Sequence, residues 1–178
     1  MIEHQIQRRK TIYRGKAFVI EAVDVQLPDG RKTKYDLVKH PGAVTIVPLD
    51  ADHKLHFVRQ YRLGAEGLLL ELPAGTLGKD EDPLECAKRE IREEVGMRAE
   101  KWIKLGDFFL APGYSSEHMT IFLALDLHPD PMKRDDDEFL AVETIPVETV
   151  LEMVKTNQIN DGKSLAALLL ALPYLEGN

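Results

Sequence analysis

Glu81, Glu90, Glu93 and Glu94 are four of the six carboxylates between residues 81 and 94. Glu90 and Glu94 stand four residues apart. On a helix they share one face, with Cβ atoms roughly 5–6 Å from each other. Glu93 follows Glu90 by three residues, and Glu81 precedes them all. Most Glu-rich helical faces are simply solvated. In this stretch the like charges repel from neighbouring positions, and Arg89 (four before Glu93) and Arg92 are the nearest cations. A hard divalent cation among the acids would relieve that repulsion. Mg²⁺ takes oxygen ligands at about 2.1 Å in an octahedron and keeps some of its water. The spacing favours a metal site over a solvated face.

The elements that would hold these acids are legible on either side. Pro73-Ala74-Gly75 makes a turn, an acidic loop follows, and a helix begins near Pro83. Asp82 suits the N-cap, Pro83 the first helical position and Glu85 a capping box. Gly96 suits a left-handed stop. Leu84, Ala87, Ile91 and Val95 form an apolar stripe at helical spacing, so the helix packs one side on a core.

The residues Gly75, Glu81 and Arg89-Glu90-Ile91-x-Glu93-Glu94-x-Gly96-Met97, at their spacing here, resemble the signature of the Nudix hydrolases at every fixed position. That resemblance implies an enzyme that hydrolyses nucleoside diphosphates linked to another group, with Mg²⁺ or Mn²⁺. It also implies an α+β fold, an α/β/α sandwich with a mixed central sheet and a loop-helix-loop catalytic box. The flanks Arg59-Gln60-Tyr61-Arg62, Glu71-Leu72-Pro73-Ala74-Gly75 and Ala111-Pro112-Gly113-Tyr114 resemble the ADP-ribose pyrophosphatase branch. Carried onto this chain, the resemblance implies that the Ala74 carbonyl, Glu90 and Glu94 hold metal, with Glu93 assisting. Arg89 would clamp Glu93. Arg62 would meet a phosphate, with Arg59, Pro112 and Gly113 also at the substrate. Tyr35 and Asp36 stand where relatives present a ring and an acid to adenine, and Phe18 is a second candidate for the stack. Some relatives carry tryptophan in these places, and His40 stands where some have arginine. The general base would come from a late loop, with Glu138 first, Glu93 second and Asp137 third. The expected reaction is hydrolysis of ADP-ribose to AMP and ribose 5-phosphate. GDP-mannose or ADP-glucose hydrolysis and a non-catalytic nucleotide sensor are the alternatives.

The chain of 178 residues has ordinary globular composition, 44% hydrophobic and 30% charged, with a formal net charge of −7. No Lys/Arg-rich run is present, which argues against a nucleic-acid partner. The single cysteine, Cys86, cannot form an intrachain disulfide, which fits a reducing cytoplasm, and it reads as a packed, inert thiol. Residues 1–10 lack a signal-like apolar segment, and 165–172 is too short to span a bilayer, which takes about 20 residues. A cytoplasmic protein without a membrane partner is expected.

In order, residues 11–40 read as a β-hairpin region, 43–48 as a short buried strand and 54–61 as its hairpin partner. Residues 102–109, 119–127 and 139–145 read as further strands, with 146–155 and 164–172 as helices, the second ended by Pro173. Residues 1–40 resemble the extra N-terminal antiparallel strands of the ADP-ribose branch, in which subunits commonly pair and exchange strands. The expected division is 1–40 for those strands, as a homodimer contact, and 41–178 for the hydrolase domain.

Overall fold

A computed structural model of the chain describes residues 3–15, 18–133 and 139–176. These divide into two compact units, one made from residues 1–42 and 109–118, the other from 43–108 and 119–178.

The N-terminal unit is an antiparallel sheet in the order β1-β2-β3, with β1 at Gln5–Arg14, β2 at Val19–Gln26 and β3 at Lys32–Lys39. β1 begins earlier than the residue pattern suggests. Its residues are exposed except Thr11, so no polar–apolar alternation marks it. Between β2 and β3 the chain turns at Gly30 (φ 87°), with Gly30 N–H donating to Leu27 O. Segment 109–118 is stitched to the end of β3. Val38 N–H donates to Tyr114 O, Ser116 N–H to Val38 O, and His40 N–H to Ser116 Oγ.

The larger unit carries two sheets. One runs β7-β4-β9-β8, where β4 is Ala43–Pro48, β7 Ala74–Thr76, β8 Met97–Phe109 and β9 His118–Pro129. The other runs β10-β5-β6, with β5 at Lys54–Arg62, β6 at Gly67–Glu71 and β10 at Leu140–Pro146. β4 lies parallel to β9 and antiparallel to β7, and all its residues are buried. Helix α1 (Pro83–Glu90) and helix α3 (Gly162–Leu175) both contact β4, which explains its unbroken burial, Thr45 included. Helix α2 (Val147–Lys155) contacts β5 and β10. Val44, Ile46, Val58, Cys86, Ala87, Ile91 and Phe122 form a core under α1. This is an α+β fold with mixed and antiparallel sheets, the described helices all lying in the larger unit.

Two expectations need correction. β5 is not the hairpin partner of β4. Both edges of β4 are taken by β7 and β9, so the turn at Asp50–His53 hands the chain to the other sheet, with only a Leu49–Leu55 bridge between them. Helix α3 does not stop at Pro173 but continues to Leu175. Proline removes one N–H from the ladder, and the burial of Leu175 (1% exposed) holds the final turn in place.

Candidate active site

The turn before α1 and the end of α1 assemble one acidic site. Asp82 Oδ1 accepts from Leu84 N–H (2.8 Å) and Glu85 N–H (3.3 Å), so the N-cap forms as expected. The Glu85 carboxylate, proposed for a capping box, pairs instead with Lys88 at 2.7 Å. Beyond Glu90 the helix widens into a π turn, Ile91–Val95, that closes on Gly96 (φ 77°) with Gly96 N–H donating to Ile91 O. A π turn of this kind is frequent at functional sites. It carries Glu93 and Glu94.

Glu90 is 6% exposed and Glu94 2%, so neither belongs to a solvated face. Glu94 Oε2 accepts from Ala74 N–H at 2.9 Å, which ties the π turn to strand β7. Glu90 occupies the space beside Gly75: a Cβ there would lie 1.8 Å from Glu90 Oε1. Arg89 is the hub of the cluster. Its Nε and Nη2 donate to the two oxygens of Glu81 at 3.0 Å each, and Nη1 donates to Glu90 Oε1 (2.6 Å) and Glu93 Oε2 (2.9 Å). Hydrogen bonding from Arg89 is the main cause that holds the Glu81 carboxyl at about 2, against an opposing effect of burial. The same acids raise the Arg89 guanidinium above its ordinary value. Arg92, read as relief for the same acids, is instead paired with Asp130 at 2.9 Å.

The chemistry of the donors fits a hard cation. Glu90 and Glu94 offer buried carboxylates one turn apart, next to the backbone at Ala74 and Gly75. Among the described residues no group of three His, Cys, Asp or Glu forms a metal cage. Mg²⁺ commonly binds through one or two carboxylates with substrate phosphates and water completing the shell, so two acids meet its needs.

A second cluster lies in the same unit. Glu71, 1% exposed, accepts from Arg62 Nε (2.8 Å) and Nη2 (2.7 Å) and from Lys163 Nζ (2.5 Å). Burial pushes the Glu71 carboxyl up, but Arg62 and Lys163 outweigh it and hold the group below its ordinary value. Arg62 is raised chiefly by its bonds to Glu71, with the charges of Glu94 and Asp161 adding. Glu94 thus acts electrostatically on both the acidic helix and this cluster. Arg59 leaves the opposite face of β5, three residues from Arg62, and is engaged by Glu143 through Nε (2.5 Å) and Nη2 (3.2 Å). Lys163 and Asp161 escaped sequence reasoning. Lys163 lies 92 residues from Glu71, and only the Asp161 helix cap had a local signal.

The N-terminal unit holds the other named residues. A cavity of about 380 Å³ is lined by His4, Tyr35, Asp36, Leu37, Pro112 and Gly113 among others. Tyr35 is 48% exposed and meets the His4 ring edge-on, with centroids 6.5 Å apart. Phe18 is exposed and does not line this cavity. His40 Nδ1 accepts from Gly42 N–H at 3.2 Å. Glu138 and Asp137, the proposed first and third choices for general base, lie outside the described residues. Cys86 is buried in the α1 core. Burial, the main cause, pushes its thiol up to about 12.

The family profile described as the NUDIX domain matches residues 39–168. An ADP-ribose pyrophosphatase of Bacillus subtilis (strain 168) is 36% identical over 169 residues, covering 94% of this chain and 91% of the relative. The methanol dehydrogenase activator of Bacillus methanolicus is 32% identical over 178 residues, covering 99% and 94%. A crystal structure of an ADP compounds hydrolase superposes with a TM-score of 0.87 at 30% identity, covering 98% of this chain and 95% of that one.

Proposed function

This chain belongs to the NUDIX family of hydrolases, and on that premise we propose that it cleaves the pyrophosphate of ADP-ribose or a related nucleotide sugar with a divalent cation, Mg²⁺ or Mn²⁺. The products from ADP-ribose are AMP and ribose 5-phosphate. The observation that carries the reading is the buried pair Glu90 and Glu94, held against the Ala74-Gly75 backbone beside the Arg89 hub. A buried acid pair costs solvation, and a ligand that needs it is the physical reason to keep it.

In this reading Glu90, Glu94 and the Ala74 carbonyl hold the cation, and Glu93 assists. When bound, the cation supplies a more acidic water and neutralises charge on the diphosphate oxygens. Arg89 fixes the rotamers of Glu81, Glu90 and Glu93, and so presents carboxylate oxygens in one arrangement. Arg62 keeps Glu71 with one side of its guanidinium and offers Nη1, which makes no bond among the described residues, to a phosphate oxygen. A carboxylate from the 135–138 segment, Glu138 first, takes the proton of the attacking water. Glu93 is second, its Oε2 already accepting from Arg89. Tyr35, with Asp36 beside it, offers an exposed ring for the base in the N-terminal cavity.

A homodimer accompanies this proposal. Ile6, Ile12, Tyr13, Phe18 and Tyr35 are all at least 40% exposed in the N-terminal unit, and a second copy of the chain is the occupant proposed for that apolar surface. Light scattering after size exclusion tests it. No described helix is long and apolar enough to cross a membrane. Activity is tested with ADP-ribose, ADP-glucose, GDP-mannose, NADH and diadenosine polyphosphates at equal concentration, with Mg²⁺ and with chelator. ADP-ribose is expected to lead in kcat/KM, and hydrolysis is expected to vanish with chelator. A different leading substrate would reassign the specificity, and no hydrolysis of any of them would remove the proposal.

A further inference from the structure

We infer that Lys163 and Glu71 are positioning residues that fix the guanidinium of Arg62, through a relay anchored at the start of helix α3. The inference rests on the reading of Arg62 as a phosphate ligand. Arg62 ends strand β5, just before a 3₁₀ turn at Leu63–Ala65, and Leu63 is 81% exposed. A long side chain at such a place has little packing to hold it, and the Arg62 side chain is itself 41% exposed. Its order comes from Glu71, which takes both Nε and Nη2 in a forked contact and leaves Nη1 pointing elsewhere. Planar, two-point binding of this kind fixes direction as well as distance.

Glu71 can do this only while its carboxylate stays charged and still, although its side chain is 1% exposed. A buried carboxylate requires a paired cation. Arg62 alone would be a partner free to leave for a phosphate. Lys163 is the partner that stays. Its side chain is 11% exposed, and Nζ donates to Glu71 Oε2 at 2.5 Å and to Asp161 Oδ2 at 2.7 Å. Asp161 is the N-cap of α3, accepting from Ser164 N–H (3.0 Å) and Ser164 Oγ (2.6 Å). Ser164 Oγ in turn accepts from Leu72 N–H at 2.8 Å, one residue beyond Glu71. The first turn of α3 is therefore bolted to the strand that carries Glu71, and every group from Asp161 to Arg62 has a fixed neighbour. Lys163 neutralises Glu71 so that Arg62 can share its charge with substrate without leaving the acid bare.

The experiment uses the full chain. The Arg62 Nε–H resonance, assigned with an Arg62→Lys variant, reports the anchor without any ligand. In the wild type it is expected to be dispersed and protected from exchange. In Lys163→Met it should move towards the averaged position of free arginine, and Lys163→Arg should restore it. With ADP-ribose as substrate, Lys163→Met should raise KM roughly ten- to hundredfold, the worth of one charge-assisted hydrogen bond to a phosphate, with a smaller change in kcat, and Lys163→Arg should recover most of it. Glu71→Gln should act in the same direction. A wild-type Arg62 resonance already averaged overturns the inference without need of a stable variant. So does a folded Lys163→Met whose Arg62 resonance and KM match the wild type. If the resonance responds as expected but no variant, nor the wild type, hydrolyses ADP-ribose, the anchor stands and the substrate assignment fails.

Discussion

Replacing Gly75 with alanine probes the acidic site through a single methyl group. The backbone of Gly75 is not in the left-handed region, so alanine fits the main chain and only space is at issue. The new Cβ would lie 1.8 Å from Glu90 Oε1, 1.9 Å from its Cδ and 2.3 Å from its Cγ. Non-bonded carbon and oxygen do not approach nearer than about 3 Å without strong repulsion, so the carboxylate must retreat by more than an ångström. Because the obstacle is the end of a flexible side chain, folding should survive. Stability should fall by about 1.5–3 kcal/mol, the worth of the charge-assisted bond from Arg89 Nη1 to Glu90 that is broken. Function should suffer to a similar degree, since an ångström of misplacement costs about a hundredfold in rate, or about 2.7 kcal/mol of barrier. We expect Gly75→Ala to melt cooperatively, to lose kcat/KM by at least about a hundredfold, and to bind Mn²⁺ more weakly by titration calorimetry. Near-normal turnover and Mn²⁺ affinity would refute the placement of Glu90 at the heart of the site.

Glu138→Gln should lower kcat by at least about a hundredfold with little change in KM, since a general base is worth roughly 10²–10⁴; retained turnover in steady-state assays would move the role to Glu93 or Asp137. Arg89→Gln tests the hub through pH. Glu81 sits at about 2 in the fold against an ordinary 4.5, so its contribution to stability is present above about pH 4.5 and is lost as pH falls towards 2. The variant should melt below the wild type at pH 7, with the gap closing across that acid window in scanning calorimetry; a constant gap would deny the Arg89–Glu81 linkage. Cys86, buried with its thiol pushed up to about 12, should resist iodoacetamide at pH 8 in the native protein and react on unfolding. Rapid native labelling, read by mass spectrometry, would contradict the packing of α1.

The sequence by itself determined whatever depends on near neighbours. The cap at Asp82, the stop at Gly96, the apolar stripe of α1, the buried run of β4 and the juxtaposition of Glu90 with Glu94 all follow from propensity and periodicity. Each is set within a few residues by backbone sterics and by which face must leave water. Tertiary structure decided the pairings. Only the occupied edges of β4 send β5 to another sheet, and only that sheet draws Arg59 to Glu143 while Arg62 turns to Glu71. The burial of Leu175 carries a helix through Pro173, against its local signal. Arg92 finds Asp130 rather than the acids beside it in the chain, and Lys163 finds Glu71 across 92 residues. The reason is physical: a charged side chain pairs with the partner that the fold brings within reach, deeply buried at Glu71 and Lys163 but half-exposed at Arg59–Glu143 and Arg92–Asp130, and that reach depends on how sheets and helices stack, which no short window of residues encodes.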